Sequence, residues 1–335
     1  MPGFRDIIGH EEIIAHLKGV IRSERISHAY ILDGAPQSGK KMLAEAFAMT
    51  LLCEQRDADT GDACGQCPVC RKIRSRNHPD VLYLRHEKPN TISVGDVREQ
   101  IGDSIAIRPY SSRYKIYIVD EAEKMNVQAQ NALLKTLEEP PSYAVLLLLT
   151  AHADSFLPTI RSRCVTLRLR TIREDRITGL LTERYQIPSY EAKRCAAFAM
   201  GNAGRAVYLA SSQEFQELVR IVTGQMERIA KTRDGELALF ADELAEYRDY
   251  TDEYLDLLLF WFRDVMLCKY TGGHPRLLFD KQKETLYAQA ESADDAGLSG
   301  IFTSIERARR RIGANVNREL TLELLLLDIK EALAA

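Results

Sequence analysis

Residues 29–52 constrain the fold of this chain more than any other stretch. A short apolar segment, residues 29–33 (Ala-Tyr-Ile-Leu-Asp), runs into Gly34-Ala35-Pro36-Gln37-Ser38-Gly39-Lys40-Lys41, and residues 39–52 then carry a helical pattern. Strand, glycine loop and helix in that order form a cradle in which backbone N–H groups and a helix N-terminus converge on phosphate. The pattern GxxxxGK[ST] is met at Gly34, Gly39 and Lys40. It fails at Lys41, where Ser or Thr would place a hydroxyl on Mg²⁺. An ammonium there supplies no metal ligand and carries the metal's own sign of charge. The loop therefore predicts a nucleotide-site shape and argues against Mg²⁺–ATP or Mg²⁺–ADP chemistry in this chain.

Around the loop, strand-like and helix-like segments alternate, which predicts an α/β domain with a parallel sheet. Residues 81–84 and 115–120 read as further strands. The apolar run 143–150 reads as a strand buried on both faces. Residues 92–107 and 126–139 read as helices, the second stopped by Pro140-Pro141. From 171 to 211 the pattern changes to two or three short helices, separated by Ile187-Pro188-Ser189 and Gly201-Asn202-Ala203-Gly204. Beyond 212 it is almost wholly helical. Residues 257–262 are apolar all round, as in a central bundle helix. Ile301, Ile305, Ala308 and Ile312 trace one helix face, and Leu320, Leu324 and Leu327 mark the last helix. The expected division is 1–167, with an insertion at 53–77, then 168–211, then 212–335.

Two further features belong with the loop. Asp120-Glu121 follow the apolar end of a strand, in what is expected to be a neighbour of the strand that feeds the loop. An Asp there can hold a hydrated metal, and the next Glu can orient a water. Ser162-Arg163-Cys164 comes soon after the buried strand. By itself that triplet reads as a surface arginine.

Cys53, Cys64, Cys67 and Cys70 have the spacing C-x₁₀-C-x₂-C-x₂-C. Four thiolates close a tetrahedral zinc site and leave no open position, so the expected Zn²⁺ is structural. Cys53 ends the loop helix, so the metal would staple the polar stretch 54–77 to it. Cys164, Cys195 and Cys268 are scattered and read as small core residues. Arg71, Lys72, Arg74 and Arg76 follow the last cysteine of the cluster and are open to a phosphate role. Arg307, Arg309, Arg310 and Arg311 read as a solvated helix face.

In this order, Phe4-Arg5-Asp6-Ile7-Ile8-Gly9-His10-Glu11, Ser27-His28-Ala29-Tyr30, the glycine loop, Asp120-Glu121-Ala122, Leu133-Leu134-Lys135-Thr136-Leu137-Glu138-Glu139-Pro140-Pro141 and Ser162-Arg163-Cys164 resemble the AAA+ subunits of bacterial sliding-clamp loaders. The cysteine cluster and Asn315-Val316-Asn317 are similar to that family too. Lys41 and the chain length resemble the non-motor (delta-prime) kind of subunit more than the tau/gamma motor kind. The resemblance implies an AAA+ core, a helical lid and a C-terminal collar domain. It implies that Arg163 acts in trans on a neighbouring motor subunit's ATP site, and that Arg205 occupies the place of a second sensing arginine. The implied partners are tau/gamma and delta subunits and, through the complex, the sliding clamp and primer–template DNA. The chain would then serve a DNA polymerase holoenzyme without being an ATPase alone. A motor ATPase is the alternative, kept open by Lys40, Asp120 and Glu121.

Composition narrows the classes. With 45 Lys+Arg against 48 Asp+Glu the net charge is −3, unlike a protein that wraps nucleic acid by itself. The apolar run 144–149 is far too short to cross a bilayer. The first residues hold no apolar signal core, and clustered cysteines suit a reducing compartment, so a cytoplasmic location is expected.

Overall fold

The computed structural model describes residues 3–86, 88–271, 276–314 and 316–334. Five strands form one sheet: β1 (Ala29–Asp33), β2 (Val81–Tyr83), β3 (Lys115–Val119), β4 (Ala144–Thr150) and β5 (Val165–Arg168). Their order is β2-β3-β4-β1-β5, and every neighbouring pair is parallel. β4 is buried along its whole length because it is central and covered on both faces, which is why it reads as an unbroken apolar run.

Side-chain alternation along the strands divides the core into two layers. Tyr30, Leu32, Ile116, Ile118, Val145, Leu147 and Leu149 face the helix Lys40–Leu52 and the cysteine loop. Ala29, Ile31, Tyr117, Val119, Leu146 and Leu148 face the helix Val127–Glu138 and Ile160. Both faces are therefore sealed, and the strand ends are left to carry chemistry.

Three elements were not foreseen. Glu11–Arg22 and Pro68–Arg74 are helical, and β5 adds an edge to the sheet. The expected helix 92–107 is a continuous helical segment, α-helical at Val94–Val97 and Asp103–Ile105 and π-helical at Arg98–Gly102 between them. Asp120 follows β3, which is not a neighbour of β1 as expected, since β4 lies between them.

The chain divides into two compact units. One runs to Leu180 and includes Gly201–Arg205; the other holds Leu181–Met200 and the residues from Ala206 on. The segment 168–211, expected as a lid, is shared between them. The second unit is helical. Its longest helix, Thr251–Tyr270, buries Leu257, Leu258, Trp261 and Phe262. Trp261 Nε1 donates to Gln289 Oε1 at 2.7 Å, so the indole pays no unpaired-donor cost. Asp264, fully buried, accepts from the N–H groups of Leu278 and Phe279. The last helix, Arg318–Ala334, buries Leu322, Leu325, Leu326, Ile329 and Leu333. Leu320 and Leu324 point outward, opposite to that buried face. Asn315, part of the Asn315-Val316-Asn317 stretch, lies outside the described residues. Among the described residues, no helix is long and apolar enough to cross a membrane.

Candidate nucleotide loop, metal centre and arginine edge

The loop leaves β1 at its C-terminal end. Gly34 N donates to Thr150 O of β4 at 3.1 Å, which fixes the loop's start to the sheet. Gly39 has φ +95°, a conformation that glycine adopts without strain, and it caps the helix Lys40–Leu52. Gln37 also lies in the left-handed region, at φ +60°. The turn carrying Gly204 and Arg205 packs on the loop's outer side. A Cβ on Gly204 would lie 2.1 Å from Gln37 O, and Asn202 Nδ2 donates to Pro36 O at 2.7 Å. Asn202 Oδ1 accepts from Arg205 N at 3.1 Å. Gly34, Gly39, Lys40 and Arg205 thus belong to one local assembly. A cavity of about 660 Å³ opens there, lined in part by Lys40, Lys41, Asp120, Glu121 and Gly204.

The charges in this cavity are paired internally. Lys41 Nζ donates to Asp120 Oδ2 at 2.9 Å, so the residue that replaces the metal-binding hydroxyl sits on the carboxylate that would serve a metal. Lys40 Nζ turns back to the carbonyls of Gly34 and Ala35. Burial pulls its ammonium below the ordinary lysine value, opposed by Glu123, Asp120, Asp33 and Glu121. Glu121, at φ +48°, pairs with Lys124 at 2.7 Å. Lys124 is also held by Pro89 O at 2.8 Å.

The four cysteines converge as their spacing predicted. All four Sγ atoms lie within 4.8 Å of one another. Cys53 and Cys64 sulfurs are 3.6 Å apart, and those of Cys64 and Cys70 3.9 Å. A tetrahedron with metal–sulfur bonds of about 2.3 Å has edges of about 3.8 Å. The donor set therefore fits a metal ion of that kind. N–H groups of Gln66 and Cys67 point at Cys64 Sγ and hold its thiol down to about 6. Burial pushes the Cys70 thiol above its ordinary value. A second anchor ties this loop to the N-terminal turn. The buried Asp62 carboxylate accepts from Phe4 N at 3.2 Å and Arg5 N at 3.0 Å, and Lys18 Nζ lies 3.6 Å from it. Arg71 and Arg74 donate to the carbonyls of Gln66 and Gly65, and Arg76 pairs with Glu45 at 3.0 Å. Two of the four basic residues after the cysteines thus stabilise their own loop, and Arg76 ties it to the helix Lys40–Leu52. Arg309 is likewise paired with Asp252 and Asp256.

Arg163 lies at the opposite end of the strands from the loop. Val165, the first residue of β5, is in register with Tyr30, whereas the loop begins after Asp33. At about 3.3 Å per residue the two places are roughly 15–20 Å apart along the strands. The Arg163 guanidinium binds Glu138 and the Thr159 carbonyl. Cys164 packs into the core, where burial pushes its thiol up to about 12.

Sheet, glycine loop and loop helix define the class: a P-loop α/β nucleotide-binding fold, followed by a helical unit. A family model described as "DNA polymerase III, delta subunit" matches residues 9–173, and one described as "DNA polymerase III, delta subunit, C terminal" matches 235–331. The chain is 30% identical over 313 residues to the Pseudomonas aeruginosa DNA polymerase III subunit delta-prime, covering 90% of this chain and 91% of that one. It is 28% identical over 316 residues to the Bacillus subtilis delta-prime subunit, covering 93% of each. The Buchnera aphidicola (Acyrthosiphon pisum) DNA polymerase III subunit gamma is 35% identical over 211 residues, 62% of this chain and 57% of that one. The chain thus spans from a quarter to little more than half of the gamma and tau relatives it matches, but nine-tenths of the delta-prime relatives. It belongs to the DNA polymerase III delta-prime subunit family.

Proposed function

We propose that this chain is a largely non-hydrolysing AAA+ subunit of a cytoplasmic clamp loader. In this reading it donates Arg163 in trans to the ATP site of a tau/gamma-type motor subunit, and works with a delta subunit to load a sliding clamp on primer–template DNA. The observation that carries the reading is the Lys41–Asp120 ion pair at 2.9 Å. A motor needs Asp120 for its metal; here an ammonium of fixed position already neutralises it. The engagement of Lys40 with loop carbonyls and of Glu121 with Lys124 supports the same side. The position of Arg163, a strand's length from the chain's own loop, suits action on another chain. An arginine so used stabilises charge developing on a transferred phosphoryl group.

Cys53, Cys64, Cys67 and Cys70 would hold a structural Zn²⁺, which supplies order to a loop without a core of its own. Residues 168–211 would act as the lid, with Arg205 against the degenerate nucleotide loop, and 212–335 as the collar that joins neighbouring subunits.

ATPase assays test the reading. The purified chain should show no turnover attributable to Lys40. The assembly with tau/gamma-type and delta subunits should hydrolyse ATP, and Arg163→Ala should cripple it while leaving assembly intact. Turnover by the chain alone that Lys40→Ala abolishes would overturn the proposal in favour of a motor subunit.

A further inference from the structure

Glu138 is the last residue of the helix Val127–Glu138, and Glu139 follows it. Carboxylates at a helix C-terminus oppose the helix dipole, so helix stability gives no reason for an acid there. Glu138 has a partner instead. Arg163 Nη2 donates to Glu138 Oε1 at 3.0 Å, and Arg163 Nη1 donates to Thr159 O at 3.1 Å. These two contacts use two of the guanidinium's five N–H donors and leave the others for a further acceptor.

The backbone beneath Arg163 is fixed independently. Gln130, buried on the same helix, donates to Met125 O and Ser155 O and accepts from Leu157 N at 2.9 Å. It thereby locks the turn Pro158–Arg161 onto the helix that carries Glu138. Arg161, two residues earlier, pairs with Asp154, so the two arginines have separate acids.

We propose that Glu138 is the positioning residue for Arg163: its carboxylate holds the guanidinium in one rotamer at the sheet edge before a neighbouring chain's phosphates meet it. This rests on the reading of Arg163 as an arginine acting in trans. A long side chain already ordered loses less freedom when it engages, which favours turnover rather than ground-state binding. The pair is half exposed, with side-chain exposures of 35% and 53%, so Glu138 competes only weakly with a phosphate for the remaining donors. Without Glu138, only the Thr159 carbonyl restrains the guanidinium.

The test uses full-length chain assembled with tau/gamma-type and delta subunits, and compares Arg163→Ala, Glu138→Ala, Glu138→Gln and the Arg163→Ala/Glu138→Ala double variant. Arg163→Ala should lower kcat for ATP by about 10²-fold or more. Glu138→Ala should lower kcat about three- to tenfold with KM unchanged, by loss of orientation. Glu138→Gln keeps an acceptor oxygen and should retain at least half of the wild-type kcat. In the Arg163→Ala background, Glu138→Ala should add nothing. A wild-type kcat in Glu138→Ala beside a crippled Arg163→Ala overturns the positioning role alone. So does an equal loss in both backgrounds, a change confined to KM, or a Glu138→Gln rate as low as that of Glu138→Ala. A wild-type rate in Arg163→Ala overturns the underlying reading as well. Should Glu138→Ala not assemble, Glu138→Ser, too short to reach the guanidinium, takes its place with the same expected loss, and a wild-type kcat in it overturns the positioning role.

Discussion

Lys41→Thr would return the loop to a metal-binding pattern, and the structure sets what should follow. Little stability is at stake. The Lys41–Asp120 pair has side-chain exposures of 41% and 42%, so it stabilises the fold by only about 0–1 kcal/mol. Lys41 is also the second residue of its helix, where a cation opposes the helix dipole by about 0.3–1 kcal/mol. The two effects offset one another, and the melting temperature should move by less than about 4 °C. Metal preference should change far more. A divalent ion on Asp120 would lie about 4 Å from the present ammonium. Even at the dielectric of water, repulsion at that distance is about 2 kcal/mol for a doubly charged ion. Removing it should favour the metal complex about 30-fold. The assay is titration with a fluorescent adenine nucleotide, with Mg²⁺ or with chelator. Wild type should bind weakly and alike in both; Lys41→Thr should bind about 30-fold better with Mg²⁺, and Lys41→Thr/Asp120→Asn should lose that preference. Equal affinity of Lys41→Thr with and without Mg²⁺ would refute the reasoning and would point to the turn against Gln37 as the obstacle.

Other perturbations have equally definite outcomes. Cys67→Ser should abolish stoichiometric zinc in atomic-emission analysis and cost more than about 4 kcal/mol in denaturant unfolding, with early proteolysis between 54 and 77; full stability with no metal bound would show that the thiols alone order the loop. Gly204→Ala puts a Cβ 2.1 Å from Gln37 O and should destabilise by about 1–3 kcal/mol; an unchanged urea midpoint would mean that the loop yields freely. His78 is held below the ordinary histidine value of 6.5 by burial, and its Nδ1 accepts from Asp80 N. The unfolded chain therefore binds the proton more readily, and stability present above pH 6.5 should fall as pH drops below it. His78→Asn should reduce that slope, and an identical slope would remove His78 from the account.

Much of this was legible because it depends on local order. Four strands announce themselves as apolar runs beside the loop, and the cysteine cluster by spacing. β5 was missed although Val165, Leu167 and Leu169 alternate with Thr166, Arg168 and Arg170. An edge strand is only half apolar, so its signal is weaker than that of the central β4. The last helix is legible, but which of its faces is buried is not. Leu320, Leu322, Leu324, Leu325, Leu326 and Leu327 surround much of its circumference, and periodicity cannot choose a face among near-identical residues. The Lys41–Asp120 and Arg163–Glu138 pairs were beyond reach. They join residues 79 and 25 positions apart, and only strand order and the seating of a helix bring them together.

A sheet whose strands all run one way has two unlike ends, and this chain equips them differently. One end carries Arg163, held by Glu138 and the Thr159 carbonyl. The other has its charges neutralised from within. On the proposed reading, chains of this build would fit together head to tail, in one direction only. A chain that asks nothing at its loop end can stand last in such a row and leave no site half built.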